Sequence, residues 1–157
     1  DSGQYDHIVE VDRITGCAML VRREVFERVG SLDDRFFIYS EETDWCLRAR
    51  RAGYRLAVVK ESLIWHKGHR DSGRIGRPFI LHLQSRNHLL MLRKSSNSFF
   101  LGGTTALIYA LLAGLKEMAR QLFGWILTRD HRHLGCLEAV ARGWVDFACN
   151  RFGAPRQ

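Results

Sequence analysis

The stretch FFIYSEETDWCLRARRAGY, residues 36–54, contains the most informative pattern of this chain. An aromatic run leads into a predicted helix, which Ser40 precedes as a suitable N-cap and Gly53 follows as a suitable stop. Three carboxylates lie in its first turn: Glu41, Glu42 and Asp44. The helix dipole and free backbone N–H groups stabilise ionised carboxylates there, so one that faces a cleft could accept a proton. Acidic residues are also ordinary at helix starts, and this alternative stays open.

Composition indicates one globular domain with a basic surface. The 157 residues are 46% hydrophobic, and the net charge of +7 indicates an anionic partner such as nucleic acid, an acidic membrane surface or a phosphate-bearing ligand. The basic residues are spread along the chain without a nucleic-acid-binding motif, so no nucleic-acid partner is predicted. Four widely spaced cysteines predict free thiols in a reducing compartment, with Cys17 and Cys46 buried.

Residues 13–94 predict short strands alternating with helices. The predicted strands cover 15–21 and 55–59, and a further strand ends at His66. The predicted helices cover 23–29, 41–52 and Pro78 to Lys94, and a turn is predicted at 31–35. This alternation is typical of an α/β fold.

The chain becomes more apolar after this region. Residues 99–115 carry no charge, but a helix of that length is slightly short for a hydrocarbon core of about 30 Å. Residues 116–127 predict an amphipathic helix with Lys116 and Arg120 available to lipid phosphates. The two segments predict an interfacial or shallowly inserted hairpin, with a pair of ordinary core helices as the alternative.

Several motifs occur in a fixed order along residues 9–94. They are Gly16-Cys17-Ala18, an Arg-Arg-Glu-Val-Phe helix closed by Gly30, Leu-Asp-Asp-Arg-Phe-Phe, the acidic helix start, Arg-Arg-Ala-Gly-Tyr, and a segment running into His66. Together they resemble the C-terminal half of the catalytic domain of family 2 glycosyltransferases, particularly rhamnosyltransferase-like members. Such an ordered set is more specific than any single short motif.

The resemblance implies the acceptor-side part of a GT-A, Rossmann-like fold that uses nucleotide-diphospho-sugars. Residues 1–94 would form this half, and residues 95–157 a helical, hydrophobic and basic membrane-associated region. No glycine-rich strand-to-helix start and no Asp-x-Asp motif after an apolar strand precedes residue 9. We therefore expect the chain to be a fragment that is inactive alone and lacks the nucleotide-binding half.

The implied reaction is inverting transfer of a sugar from a nucleotide-sugar donor to an acceptor hydroxyl. In the family, the second member of a Glu-Asp pair at the acidic helix start is the base. Glu42 occupies that position here, so the usual Asp is replaced by a carboxylate one methylene longer. Glu41 would orient the site, and Asp44 would shape the acceptor pocket or pair with Arg48 one turn later.

The resemblance also implies ligand contacts outside the acidic helix. A divalent cation, Mg²⁺ or Mn²⁺, would be held mostly by the absent half, and His66 would complete its ligands. The expected substrate-binding residues are Gly16, Trp65, Lys67, Arg70 and Arg74, the last three within a glycine-rich basic loop. Structural or solvent-exposed roles for His66 and for the loop cations remain alternatives.

The expected acceptor is a glycan or a lipid-linked saccharide in the synthesis of cell-surface polysaccharide. The expected location is cytoplasmic, peripheral to or anchored in the inner face of the plasma membrane. A second hypothesis is a non-catalytic membrane-surface or interaction module that retains the glycosyltransferase fold.

Overall fold

The computed structural model describes residues 8–66, 76–95 and 102–155, and gives only the backbone for 102–107. The elements in chain order are β1 (Val9–Glu10), α1 (Arg23–Val29), α2 (Glu41–Arg51), β2 (Ala57–Val58), α3 (Arg77–Ser95), α4 (Gly102–Thr128) and α5 (Arg132–Ala148). The strands are antiparallel, with Val9 opposite Val58. The chain forms two compact units. The first contains both strands, α1 and α2, and the second contains residues 35–40 with α3, α4 and α5.

The first unit is built around Trp45 of α2. Its indole packs with Val25 and Ala49 in the core, and its ring centroid is 5.2 Å from that of Phe26. The indole Nε1 donates a hydrogen bond of 2.8 Å to the carbonyl oxygen of Gly30, just after α1. The aromatic residue in the acidic helix is therefore the packing centre between α1 and α2, and its polar atom is satisfied.

The ends of α2 agree with the sequence in one respect and differ in another. The predicted stop at Gly53 is confirmed, since this residue has φ of 89° and its N–H donates to the carbonyl oxygen of Arg50. Ser40 precedes the helix as predicted, but its φ is 74°. A usual N-cap residue has extended backbone geometry, so Ser40 does not enter the helix in the expected conformation.

The second unit is a packed group of three helices. Helix α5 approaches α3 closely at Gly143, where an added Cβ would lie 2.5 Å from the carbonyl oxygen of His82 and closer still to Ser85 Oγ. A similar contact occurs between Gly114 of α4 and the ring of Trp144. These glycines allow helix backbones and large side chains to meet without a gap.

The predicted helices at 23–29, 41–52 and 78–94 are confirmed, but the strands are mostly wrong. Residues 15–21 form a turn and irregular backbone, and the predicted strand at 55–59 shortens to two residues. The strand expected to end at His66 is absent. A strand requires a neighbour for its backbone hydrogen bonds, and the described residues contain only the antiparallel β1–β2 pair. They are therefore mostly helical, without the predicted Rossmann-like parallel sheet.

The hairpin expected between 99 and 127 is also wrong, because α4 continues without a break from Gly102 to Thr128. No helix in the described ranges has both the length and the apolar content needed to cross a bilayer. The four cysteines are free, as predicted. Cys46 is buried as expected, but Cys17 is exposed because it lies in a turn.

Candidate active site

Residues 12–16 run alongside α2 in a regular register and carry Gly16 to the acidic end of the helix. Asp12 forms an ion pair of 2.6 Å with Arg50, and the carbonyl oxygen of Ile14 lies 4.0 Å from the thiol of Cys46. Gly16 then lies beside Glu42. A step of two residues along this segment corresponds to a step of four residues along α2. The two lengths agree, because two extended residues advance by about 6.6 Å and four helical residues by about 6 Å.

Gly16, an expected substrate-binding residue, contacts Glu42, the expected base. A Cβ added at Gly16 would lie 3.4 Å from Glu42 Cβ and 3.6 Å from its Cγ. Gly16 is exposed, so its missing side chain leaves open space beside the aliphatic stem of Glu42, a partly exposed residue in the first turn of α2. The Glu42 carboxylate can accept a proton from a group that enters this space.

Asp44 is held in the interior by Arg48. The residue is only 3% exposed, and Arg48 Nε donates to its Oδ2 at 2.9 Å. The same guanidinium donates to the carbonyl oxygens of Val29 and Ser31, both at 2.7 Å. The predicted pairing with Arg48 is confirmed, and Asp44 thereby ties α2 to the end of α1.

Glu41 has the least satisfied carboxylate of the three. Its Oε2 atom is buried and has no hydrogen-bond partner within the described part of the chain. Burial raises the pKa of the Glu41 carboxyl above 4.5, its backbone hydrogen bond opposes the rise, and the charge of Glu42 adds to it. Glu41 therefore takes up a proton more readily than an ordinary glutamate, which is typical of functional sites.

The other predicted site residues are less constrained. Trp65 is 89% exposed and His66 is also exposed, at the end of an irregular segment. Lys67, Arg70 and Arg74 lie outside the described residues. No cluster of three or more His, Cys, Asp or Glu side chains in the described ranges could hold a metal ion. These residues alone therefore do not fit a complete divalent-cation site.

Arg86 and Asn87 form a buried polar pair on α3 that the sequence interpretation missed. Their residues are 1% and 0% exposed, and Arg86 Nε donates to Asn87 Oδ1 at 3.0 Å. Asn87 Nδ2 lies 2.8 Å from the carbonyl oxygens of Phe36, Ile38 and Tyr39. The sequence offered little signal, because Arg86 and Asn87 lie within the polar run Gln84 to His88 of this helix; their burial becomes visible only with their partners.

A cavity of about 860 Å³ lies in the second unit, between α3, α5 and residues 150–155. Its wall includes a hydrogen-bonded pair in which His82 Nε2 is 2.9 Å from Asp146 Oδ2. Arg151 lies 3.8 Å from the other oxygen of that carboxylate. Both oxygens of Asp146 therefore already have partners within the protein.

Comparison with known proteins finds relatives whose names describe related activities. A low-salt glycan biosynthesis hexosyltransferase of Haloferax volcanii is 29% identical over 127 residues, which are 81% of this chain and 38% of that protein. A rhamnosyltransferase of Escherichia coli is 40% identical over 76 residues, or 48% of this chain and 29% of its own length. An N-acetylglucosaminyl-diphospho-decaprenol L-rhamnosyltransferase of Mycobacterium tuberculosis is 34% identical over 61 residues, covering 39% and 20%.

These relatives are glycosyltransferases. Their names describe hexosyl and rhamnosyl transfer in glycan synthesis, and this chain is similar to a part of each of them. The chain spans 38% or less of the length of each of these three relatives. No protein-family model and no solved structure matches it.

Proposed function

We propose that the chain is the acceptor-side, base-carrying part of an inverting glycosyltransferase with a GT-A fold. The enzyme would transfer a sugar from a nucleotide-sugar donor to a hydroxyl of a glycan or lipid-linked saccharide. The names of the relatives support sugar transfer in polysaccharide synthesis. The name of the mycobacterial relative includes a lipid-linked saccharide, which supports that class of acceptor.

The observation that carries this proposal is the open space beside Glu42. Gly16 contributes no side chain there, and Glu42 lies in the first turn of α2. We assign Glu42 as the base that removes the proton from the acceptor hydroxyl as the new bond forms. Glu41 would orient the site, while Asp44 keeps the helix in place through Arg48.

The test compares two amide variants of the intact enzyme. Glu42→Gln should retain donor binding and lower turnover by about 100-fold or more, because a general base contributes about 10²–10⁴-fold. Glu27→Gln removes an exposed carboxylate from α1 and serves as the control, with turnover unchanged. Normal turnover in Glu42→Gln and none in Glu41→Gln would move the role to Glu41. Absence of transfer by wild type with every donor would favour the non-catalytic module.

We propose a larger enzyme for two reasons. The chain spans only part of the length of its relatives, and its first unit exposes large apolar side chains. In the first unit, Leu20 is 99% exposed and Leu63 is 67% exposed, together with Trp65. Large apolar groups so open to water are typical of surfaces that another part of a protein covers. A nucleotide-binding half would cover these side chains. The separate chain, without that half, would be inactive. Full transfer activity of the 157 residues alone would contradict this.

We further propose that His66 provides one ligand to a divalent cation, Mg²⁺ or Mn²⁺, held mainly by that other half. Such an ion would stabilise the leaving diphosphate. His66→Ala in the intact enzyme should weaken Mn²⁺ binding, measured by calorimetry, by about tenfold or more. Unchanged Mn²⁺ affinity would leave His66 as a structural residue.

Attachment to the inner, cytoplasmic face of the plasma membrane is proposed from the outer face of α4. Its large apolar side chains are 44–69% exposed: Ile108, Tyr109, Leu112, Leu115, Leu122, Phe123, Ile126 and Leu127. They recur at intervals of three and four residues, so they share one helix face. Lys116 is exposed within the same stretch. An apolar face with basic residues fits a bilayer interface that contains anionic lipid.

A further inference from the structure

Three residues in the segment just before the acidic helix have an unfavourable backbone conformation. Phe37, Tyr39 and Ser40 have φ values of 66°, 71° and 74°, which belong to the left-handed region. None is glycine, and bulky aromatic residues are rare in this region because Cβ crowds the backbone. Such conformations persist only where surrounding contacts impose them. The segment therefore requires a specific anchor.

The anchor is the buried pair on α3. The two hydrogens of the Asn87 amide are shared among the carbonyl oxygens of Phe36, Ile38 and Tyr39. Arg86 Nη2 donates to the Phe36 carbonyl oxygen at 3.1 Å, and its Nε holds the Asn87 side chain in the required orientation. Three carbonyl groups of the segment, those of Phe36, Ile38 and Tyr39, thus accept hydrogen bonds from one amide, and the first also accepts one from the guanidinium.

Three further contacts complete the attachment. The ring of Phe36 is fully buried, and Lys94 Nζ lies 5.3 Å from its centroid. Arg86 Nη1 donates to the carbonyl oxygen of Gly153 at 2.9 Å, and the N–H of Gly153 donates to the carbonyl oxygen of Arg35 at 2.8 Å. The segment is therefore anchored by α3 and also by the C-terminal residues.

We propose that Arg86 and Asn87 are positioning residues for the catalytic carboxylates. They hold residues 36–40 so that Phe37, Tyr39 and Ser40 keep the left-handed conformation, and the chain continues directly from Ser40 into Glu41 and Glu42. Their effect on the reaction is indirect, through the backbone that leads into the base. This inference rests on the proposed function for its catalytic part, whereas the anchoring itself does not depend on activity.

The test uses Asn87→Asp, which keeps an oxygen for Arg86 Nε but removes the amide donor to three carbonyl groups. In the 157-residue chain, amide hydrogen exchange of residues 36–42 should accelerate by about tenfold, because loss of buried hydrogen bonds makes local opening easier. Arg86→Lys is a milder second variant that loses the forked contacts. Gln84→Glu and Arg77→Lys are the controls, since both residues are exposed on α3.

The intact enzyme provides the catalytic readout. Asn87→Asp and Arg86→Lys should lower kcat per folded enzyme by about tenfold or more, with little change in the KM for the donor, because a misplaced base slows the chemical step. Faster exchange with unchanged kcat would overturn the positioning role. Unchanged exchange at 36–42 in folded variants would overturn the anchor. If wild type transfers no sugar, the proposed function fails, and the exchange measurement still decides the anchor.

Discussion

At the residue scale, Glu41 and Glu42 are adjacent in sequence but have different environments. Glu42 lies beside the open space at Gly16, whereas Glu41 has a buried oxygen without a partner among the described residues. The sequence gives both residues the same place in a first turn, so it could not distinguish their solvation. The charged form of Glu41 therefore lowers the stability of the folded state. Such a cost is typical of residues that have a function.

The raised pKa of Glu41 leads to a prediction for stability against pH. The folded state binds this proton more tightly than the unfolded state, whose pKa is near 4.5. Stability therefore falls as pH rises from the unfolded pKa through the raised folded pKa, and the full cost is present above both values. Glu41→Gln removes this cost, so the variant should melt at a higher temperature than wild type at pH 7.

The two melting temperatures should converge as pH is lowered below about 4.5, where wild-type Glu41 is protonated in both states. Thermal unfolding between pH 4 and pH 8, followed by circular dichroism, measures the difference. Glu24→Gln is the matched control, because Glu24 is an exposed carboxylate in the first turn of α1. A Glu41→Gln protein that is less stable than wild type at pH 7 would show that the charge is favourable.

At the element scale, helices were predictable from sequence and strands were not. The start and stop of α2 are encoded locally, in the acidic first turn and in Gly53, which adopts the left-handed conformation expected of a stop. A strand depends on a partner that is distant in sequence, and residues 15–21 lack one in the described structure. The apolar pattern of those residues therefore gave a wrong prediction.

The polar anchor on α3 could not be derived for a similar reason. Helical spacing showed that residues 78–94 would form a helix, but Arg86 and Asn87 are buried through contacts with a segment about 50 residues earlier. Nothing in the local sequence indicates that these two segments contact each other. The two residues also lie within the polar run Gln84 to His88, so the pattern did not mark them as buried.

Close packing between α3 and α5 gives a prediction at the same scale. A Cβ at Gly143 would meet the backbone carbonyl of His82, which cannot rotate away, so Gly143→Ala must separate the helices. We expect the free energy of unfolding to fall by about 1–3 kcal/mol, the usual cost of overpacking. Urea denaturation of the 157-residue chain measures this change.

Gly135→Ala is the matched substitution on the same helix. The nearest atom to its added Cβ would be Pro78 Cγ at 3.8 Å, an ordinary contact. Alanine is a better helix former than glycine by up to about 1 kcal/mol, so this variant should be as stable as wild type or more stable. Equal stability changes for both alanine variants would contradict the packing described at Gly143.

At the scale of the whole molecule, the charge of +7 and the apolar face of α4 act together. The sequence predicted an apolar segment followed by a basic amphipathic one, and the structure combines them in a single helix. The apolar and amphipathic pattern of residues 99–127 accounts for the length of α4. Which face of α4 is exposed depends on how α3 and α5 cover the opposite side. A continuous helix exposes a longer apolar stripe than a hairpin would.

This arrangement predicts reversible binding to anionic vesicles. The chain should float with liposomes of phosphatidylglycerol and phosphatidylcholine at low salt, and less of it should float as salt rises, because lysine and arginine contribute through screened attraction. Leu112→Gln combined with Phe123→Gln should lower the affinity by about tenfold or more, since both side chains would lose contact with the acyl region. Val145→Gln, at a residue 53% exposed on α5, is the control and should bind normally.

The salt response separates a lipid surface from a protein partner. Lys116→Gln should weaken vesicle binding by about fivefold at low salt, the effect of about 1 kcal/mol per basic residue near an anionic surface. It should have little effect at high salt, where the remaining attraction is apolar. If wild type stays unbound at low salt, the membrane assignment fails, and the face of α4 would instead be covered by another part of the enzyme or by a second copy. Sedimentation of the unbound chain would then distinguish a dimer from a monomer whose partner is the missing half.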